Sequence, residues 1–389
     1  MKKFTILMVL LALLLVWTGA ALVSQAKDEP SQRKIVVFKS GVSEEAKEDL
    51  VKKAGGVKIK DLSLIDGKAV FLPPKAEAAL ARQAGILRID DDVIVEALVK
   101  GGIAAKPAPT QPSEVLPWGV NRIDADLVWG ITTGDPIKVA IVDTGIDVKH
   151  PDLIDNLKGG VSTVGYTTSY NDDNGHGTHV AGIAAAIDNT IGVIGVGPQI
   201  DLYAIKVLDR RGSGYLSDVI EGLDWAIQNG MQAVNMSLGA SSDVQSFHDA
   251  VIRVNQAGIT QVAAAGNTGG AVIYPAAYPE VIAVSATDNT DTVASWSSRG
   301  LEVDLAAPGV SIYSTYKGQT YKTLSGTSMA APHVTGAAAL VLDKKICGAC
   351  TPAEVQQRLE ATAEELGEIG KDNLYGSGLV DAEKAVVLP

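Results

Sequence analysis

Two kinds of hydrophobic pattern alternate along much of this 389-residue chain: short apolar runs, and longer stretches in which apolar and polar residues mix. Beyond Pro117, short apolar runs are separated by longer stretches whose apolar residues recur at helical spacing and end in glycine. Fully apolar runs are typical of strands covered by helices on both faces of a parallel sheet. The alternation therefore predicts a doubly wound α/β domain. Its predicted strands are KVAIVD, DLYAIKVL, QAVNMSL, ITQVAAAG and VIAVSAT, and its predicted helices are LSDVIEGLDWAIQNG and SFHDAVIRVNQAG.

Residues 33–97 follow a different pattern, in which short strands and helices mix. The order predicts a small α+β unit. Its predicted strands are KIVVFK, AVFLP and VIVEALV, and its predicted helices are SEEAKEDLVKKAG and PKAEAALARQAG. The stretch from Val99 to Pro117 is rich in Gly, Ala and Pro, which predicts an exposed linker between two domains.

The N-terminus has the pattern of a secretory signal peptide. Two lysines precede an apolar run at residues 4–17, and small residues lead to Ala26. Cleavage after Ala26 would make residues 1–26 a signal peptide and the protein secreted. The alternative is an uncleaved membrane anchor, because the apolar stretch can be extended to Val23 and so approaches the roughly 20 residues that span a bilayer.

Composition narrows the function classes. The chain is 46% hydrophobic but only 5% aromatic, so we expect a core of Ala, Val, Ile and Leu. A formal net charge of -12 argues against nucleic acid as a partner. The two cysteines, Cys347 and Cys350, form a C-x-x-C pair. In an exported chain this spacing favours a small loop disulfide over a zinc site or a redox centre.

Asp143 ends the run VAIVDTGID, and its role is open from this motif alone. An apolar strand that delivers Asp-Thr-Gly is how an aspartic protease presents a catalytic carboxylate. That mechanism needs two carboxylates sharing one proton, and the chain has no second copy of the motif. The other interpretation is a buried acid that orients a histidine.

His176 begins a predicted helix in NGHGTHVAGIAAA. Flanking glycines allow another segment to approach closely and leave the imidazole accessible. His179 lies three residues further on, so a metal site of His176, His179 and Asp143 must be considered. A helical histidine followed by apolar residues is more often packed and hydrogen-bonded, and His179 is therefore predicted to be structural.

Ser328 begins a long helix of small residues in LSGTSMAAPHVTGAAALVL. The positive end of that helix would lie behind its main-chain N–H. Serine at a helix start is commonly only a cap. Here it follows D-T-G, H-G-T-H and A-A-G-N, each of which is at a predicted strand end or helix start.

The segments VAIVDTGID, GHGTHVAGIAA, NMSLG, AAAGN and SGTSMAAPHV resemble those of the subtilisin-like serine proteases, the subtilases of peptidase family S8. The resemblance covers residues 113–389. It implies a subtilisin-like doubly wound parallel sheet in residues 107–389. Residues 27–106 look like the family's inhibitory propeptide of the inhibitor I9 type, a small α+β domain with a ferredoxin-like fold.

The resemblance assigns the chemistry. It implies that Ser328 is the nucleophile, His176 the general base and then acid, and Asp143 the carboxylate that holds the imidazole. Asn267 would donate to the oxyanion, together with the Ser328 N–H. The alternative for Asn267 is a turn-capping residue after Gly266.

Substrates should bind as extended peptides of broad sequence, because the family flanks them with strands. Ile273 stands where many members carry Gly or Ser at the pocket base, so the pocket should be shallow and favour Ala, Val or Leu over Phe and Tyr. The substrate-binding positions implied by the resemblance are Gly212, Ser213, Gly214, Ser237, Leu238, Gly239, Ala264, Gly266 and Ile273.

The resemblance also implies structural Ca²⁺ and no catalytic metal. Hard oxygen ligands drawn from distant segments suit this ion; the alternative is a polar turn with solvated carboxylates. Glu114 stands where the family commonly has Gln. The implied ligands are the side chains of Glu114, Asp152 and Asn189 and the main-chain oxygens of Ile187, Ile191 and Val193.

A propeptide that leaves its C-terminal tail in the cleft would act as folding aid and intramolecular inhibitor. Its distance from VIVEALV predicts a first self-cut between Gly102 and Lys106, with Ala104 or Ala105 in the pocket. The partners are then protein or peptide substrates and the chain's own propeptide, and the enzyme is expected to be a monomer without stable membrane association. Two competing hypotheses are a non-catalytic module of the same fold and the metal-dependent hydrolase. The first requires a missing triad residue, and the second a third metal ligand.

Overall fold

The protein is described by a computed structural model over residues 30–100, 102–103 and 111–388. The predicted signal peptide and residues 104–106 of the predicted cut region lie outside this range. Among the described helices, none is both long and apolar enough to cross a bilayer.

The N-terminal unit is a four-stranded antiparallel sheet with two helices. The strands run in the order β2-β3-β1-β4, which with the helices gives the predicted ferredoxin-like arrangement. Ser43 caps the first helix by accepting from the Ala46 N–H, and the helix starts with two acids and ends with two lysines. The elements are β1 (Gln32–Phe38), α1 (Glu44–Lys53), β2 (Val57–Leu62), β3 (Gly67–Leu72), α2 (Pro74–Leu80) and β4 (Ile86–Asp91).

The prediction that VIVEALV is the last strand of this unit was wrong. The last strand of the unit is β4, with the sequence ILRIDD, whereas VIVEALV forms the separate strand β5 (Ile94–Ala97). Only Val95 of β5 is fully buried, and its main chain pairs with strands of the following domain. An apolar alternating segment indicates a strand, but it does not indicate which sheet the strand joins.

The C-terminal domain contains a seven-stranded parallel sheet with helices on both faces, as predicted. The strand order is β15-β14-β13-β11-β7-β9-β8. Its strands are β7 (Lys138–Asp143), β8 (Leu157–Ser162), β9 (Asp201–Lys206), β11 (Ala233–Met236), β13 (Thr260–Ala264), β14 (Ile282–Thr287) and β15 (Leu305–Pro308). Outside this sheet lie β6 (Gly102–Ile103), β10 (Ser213–Tyr215), β12 (Leu238–Gly239), β16 (Ile312–Tyr316) and β17 (Thr320–Leu324).

The helices of this domain cover the sheet and position the site. All 16 residues of α7 are buried, and its small side chains allow close packing against the sheet. Helices α5 and α6 are amphipathic and face the N-terminal unit. The helices are α3 (Trp118–Arg122), α4 (His176–Ala185), α5 (Leu216–Gln228), α6 (Gln245–Gln256), α7 (Thr327–Leu342), α8 (Pro352–Thr362) and α9 (Ala382–Val387).

The two faces of β1 belong to different cores. Val36 and Phe38 pack with the unit's own helices. Ile35 and Val37 belong instead to an apolar cluster shared with residues of α5 and α6, such as Val219 and Phe247. One face of the N-terminal sheet is therefore covered by the unit's own helices, and the other face is buried by the C-terminal domain.

Candidate active site

Asp143 and His176 meet where β7 ends and α4 begins. The His176 Nδ1–H donates to Asp143, with oxygens at 2.8 and 2.9 Å, and the carboxylate also accepts from the Thr144 N–H at 2.7 Å. Gly177 permits this approach, because a Cβ there would lie 2.2 Å from the Gly145 carbonyl oxygen. His176 Nε2 is buried and has no hydrogen-bond partner. The acceptor nitrogen of an oriented imidazole is thus available to take a proton.

Ser328 lies in the first turn of α7 and contacts two main-chain groups. Its Oγ donates to the Ser237 carbonyl oxygen at 2.8 Å and accepts from the Leu98 N–H at 3.1 Å. No hydrogen bond joins Ser328 Oγ to His176 in this structure. The structure therefore contains the His176–Asp143 pair, while the serine hydroxyl must rotate before His176 can accept its proton.

Asn267 follows β13, and the oxygen and nitrogen of its side-chain amide have different surroundings. Its Oδ1 accepts from the Thr327 N–H at 2.9 Å and from the Thr327 hydroxyl, whereas its Nδ2 is buried without a partner. A Cβ on Gly326 would lie 2.4 Å from the Leu98 carbonyl oxygen and 3.4 Å from Asn267 Nδ2. The free amide donor and the Leu98 carbonyl oxygen thus lie beside the same glycine.

The chain itself fills the cleft as an extended strand, which we call the cleft segment (residues 94–100). Strand β5 is the middle strand between β10 and β12 and is antiparallel to both. The Ala97 N–H donates to Gly212, the Leu98 N–H to Ser237 and the Lys100 N–H to Ser325. The predicted substrate-binding strands hold this segment by its main chain, and Leu98 is the residue beside Ser328.

Comparison with known proteins identifies the family. A sequence model of the Subtilase family matches residues 134–378. Subtilisin J of Geobacillus stearothermophilus is 40% identical over 390 residues, 97% of this chain and 97% of the relative. The thermostable alkaline protease of Halalkalibacterium halodurans is 49% identical over 283 residues (72% and 76%), and Subtilisin Savinase of Lederbergia lenta is 48% identical over 275 residues (70% and 99%).

This chain belongs to the subtilase family. It is accordingly a serine endopeptidase, and the family prediction made from the five motifs is confirmed. The predicted fold class is confirmed as well. The aspartic-protease and metal-hydrolase interpretations do not describe this subtilase.

His179 of the subtilase is hydrogen-bonded to main-chain carbonyls. Its Nε2 lies 2.9 Å from the Lys322 carbonyl oxygen and 3.1 Å from that of Ile312, on the hairpin β16–β17. Complete burial lowers the pKa of His179 to about 3, so the imidazole is neutral at neutral pH. No group of three potential His, Cys, Asp or Glu ligands occurs in the part of the chain that the structure describes.

Ile273 occupies the end of the predicted side-chain pocket. A Cβ on Gly239 would lie 2.7 Å from Ile273 Cδ1, and one on Gly266 would lie 3.3 Å from Ile273 Cγ1. Gly239 and Gly266 therefore both face this one branched side chain. The main-chain N–H of Ile273 donates to the Ala265 carbonyl oxygen at 3.0 Å, directly after β13.

A second stretch, the clamp segment (residues 111–115), docks on loop 187–193. The predicted linker is exposed here, as Val115 shows, but it is not free of contacts, because Ser113 and Val115 form bridges to Ile191 and Val193. The Glu114 carboxylate accepts from the Asn189 N–H at 2.6 Å.

Asp152 is buried beside that loop. It accepts from Asn189 Nδ2 at 2.8 Å and from the Val193 N–H at 2.9 Å. Burial raises its pKa to about 6, to which the nearby Glu114 charge adds, and no described Lys or Arg pairs with it. The buried Asp152 and the half-buried Glu114 offer carboxylate oxygens without a basic partner in the described part of the chain, which fits a hard divalent cation.

Cys347 and Cys350 form a disulfide in the turn between α7 and α8, with their Cα atoms 5.7 Å apart. The pairing predicted from their spacing is therefore present in the structure. Its position behind α7 makes it a local tie in the C-terminal region.

Three polar interactions around the site were not predicted from the sequence, one of them made by Ser237, which was predicted only to bind substrate. The Thr327 hydroxyl accepts from the Gly266 N–H at 3.2 Å, which links α7 to the loop after β13. Lys206 is completely buried, donates to the Thr144 carbonyl oxygen and pairs with Asp173, both at 2.7 Å. The hydroxyl of Ser237 donates to the Ser328 carbonyl oxygen. An apolar strand ending in Lys was a possible signal for Lys206, but nothing local indicates the other two partners.

Proposed function

We propose that this subtilase is made as a self-processing zymogen in which Ser328, His176 and Asp143 cut the bond between Leu98 and Val99. One observation carries the proposal: the uncut chain crosses the cleft as a middle strand, with the Leu98 N–H on Ser328 Oγ. Because the main-chain contacts on both sides of Leu98 are those an extended substrate would make, the cleft segment is bound as a substrate.

His176 acts as general base. It takes the Ser328 proton as Oγ attacks the Leu98 carbonyl carbon, and returns a proton to the Val99 nitrogen as that bond breaks. Asp143 keeps the hydrogen on Nδ1, so that Nε2 is the nitrogen able to accept. The hydroxyl first leaves the Ser237 carbonyl, a rotation about one side-chain bond.

The developing oxyanion receives two donors. Asn267 Nδ2 has no other partner, and the Ser328 N–H lies at the positive end of α7. Donors that need no reorganisation during the reaction give the largest electrostatic benefit in a water-poor site. We therefore assign Asn267 to the oxyanion hole rather than to turn capping.

The proposed bond revises the cut expected between Gly102 and Lys106. That expectation counted residues from VIVEALV as if the strand belonged to the small domain. Since β5 already lies in the cleft, the bond that Ser328 reaches follows directly after it. The predicted propeptide then ends at Leu98, and the domain boundary at 106 moves with it.

Specificity follows from the same contacts. Most interactions with the cleft segment are made to its main chain, so many sequences are accepted. The residue before the cut meets a pocket closed by Ile273, which favours a medium apolar side chain such as Leu98 over Phe or Tyr. After the cut, the small domain stays on α5 and α6 as a product-like inhibitor.

Two further features complete the proposal. Structural Ca²⁺ would be held by Glu114, Asp152, Asn189 and the carbonyls of residues 187, 191 and 193, where it would join the clamp segment to its loop. Export through a signal peptide cleaved after Ala26 would deliver the zymogen outside the cell, where calcium is plentiful and a disulfide persists.

The decisive experiment is intact mass spectrometry of residues 27–389, as wild type and as Ser328→Ala. Wild type should split between Leu98 and Val99, and the variant should stay whole. The processed enzyme should also take up one phosphonyl fluoride at Ser328. A wild type that stays whole and unlabelled would refute the proposal, whereas a cut between 102 and 106 would refute only its position.

A further inference from the structure

The carbonyl of Ser328 lacks its helical partner. In α7 the carbonyl of residue 328 would accept from the N–H of residue 332, but that residue is Pro332, which has no N–H. Ser328 is completely buried, so water does not replace the missing donor. A buried carbonyl without a donor is costly, and another group must supply one.

The hydroxyl of Ser237 supplies that donor, with Oγ 2.9 Å from the Ser328 carbonyl oxygen. Ser237 is also completely buried and directly precedes β12. Its own carbonyl oxygen accepts from the Leu98 N–H at 3.3 Å. Ser237 thus contacts both reaction partners. Its side chain binds the main chain of Ser328, and its carbonyl oxygen binds the main chain of the cleft segment.

Two buried residues fix the direction of this hydroxyl. Asn235 Nδ2 donates to Ser237 Oγ at 2.9 Å, which leaves the single Ser237 hydrogen for Ser328. The Thr335 hydroxyl lies 2.9 Å from Asn235 Oδ1 and 3.1 Å from the Ala331 carbonyl oxygen, and its donation to the nearer Oδ1 keeps Nδ2 facing Ser237. With the amide reversed, Ser237 would donate to Asn235 instead.

We propose that Ser237 is a positioning residue: with Asn235 and Thr335 it replaces the donor that Pro332 removes, and so sets the spacing between Ser328 and the bond to be cut. The inference rests on the proposed role of Ser328 as nucleophile. Reaction rates depend steeply on such spacing, because a misplacement of about 1 Å can cost a hundredfold. Binding of the peptide depends on the Ser237 carbonyl, which a side-chain substitution leaves in place.

The test compares Ser237→Ala with Ser237→Ala/Pro332→Ala in the processed enzyme. Ser237→Ala should lower kcat about tenfold and weaken a peptidyl boronate, a transition-state mimic, by a similar factor. KM should change little. Because Ala at position 332 restores an N–H donor, the double variant should recover much of the lost kcat. Ser285→Ala is the matched control, since this buried hydroxyl donates to the Leu374 carbonyl at 2.6 Å away from the site.

Each result decides the question. An unchanged kcat in Ser237→Ala, or an equal loss in Ser285→Ala, would overturn the proposal. A loss that Pro332→Ala does not relieve would also overturn it, because the missing donor would not then be the cause. Failure of wild type to take up phosphonyl fluoride at Ser328 would instead remove the proposed function on which the inference rests.

Discussion

The cleft segment and the clamp segment both dock on the same domain, but by different means. The cleft segment is held by a strand on each side through main-chain hydrogen bonds, and apart from Val95 its side chains are only partly buried or exposed. The clamp segment makes two isolated bridges and depends on one carboxylate, that of Glu114. Residues 101–110 connect them.

We expect the cleft segment to matter for the reaction and the clamp segment to matter for stability. Main-chain recognition accepts many sequences and presents one bond to Ser328, which is what a substrate site requires. The Glu114 carboxylate instead contacts one loop beside the buried Asp152, and this contact should tighten if the proposed cation binds. Substitutions at the cleft should therefore change reaction rates and not the calcium-dependent Tm, and substitutions in the clamp segment should do the reverse.

The largest effect should come from Asn267. Asn267→Ala should lower the turnover of peptide substrates roughly 10²–10³-fold, because one of two oxyanion donors is lost. Asn267→Asp is the matched variant, since it keeps an acceptor for the Thr327 N–H and removes the amide donor. Steady-state kinetics of both measure the effect, and the calcium-dependent Tm should not change. Unaltered turnover would remove Asn267 from the mechanism.

An intermediate effect should come from the pocket. Leu98→Phe should slow the self-cut roughly tenfold, because Ile273 leaves no depth for an aromatic ring. Adding Ile273→Gly should restore the rate by opening the pocket between Gly239 and Gly266. Time courses of intact mass give both rates. A Phe variant that is cut as fast as wild type would contradict the shallow pocket.

The smallest effect should come from Glu114. In the uncut Ser328→Ala background, Glu114→Ala should lower the calorimetric Tm by about 3–6 °C in calcium, since a ligand of the proposed site is lost. With a chelator the two Tm values should nearly coincide. Glu96→Ala, in the cleft segment, is the control and should keep the full calcium response. No calcium effect in either protein would refute the site.

Much of the sheet could be predicted from the sequence. Strand β7 has the predicted bounds, and β9, β11, β13 and β14 lie within theirs, because fully apolar runs between helices have few other solutions. Strands β8 and β15 were missed: LKGGVS is rich in glycine and LAAP ends in proline, so neither resembles a buried strand.

The site could be predicted in part. Asp143, His176 and Ser328 were predicted from motifs at element ends. The structure joins Asp143 to His176 by a hydrogen bond, and the role of Ser328 stays a prediction. The bond from Ser237 to Ser328 spans 91 positions, so no local pattern reports it. The proline four residues after Ser328 was nevertheless visible in SMAAP, and it already indicated a carbonyl in need of a donor.

The anchoring of the clamp segment would affect the reversibility of the proposed first cut. Once the Leu98–Val99 bond is broken, the new amine remains attached through about a dozen residues to Gln111, a reach of at most roughly 40 Å. Its effective concentration near the acylated Ser328 is on the order of millimolar, so re-formation of the peptide bond competes with hydrolysis. Departure of the small domain, which removes the Leu98 carboxylate from the cleft, is then the step that makes activation permanent.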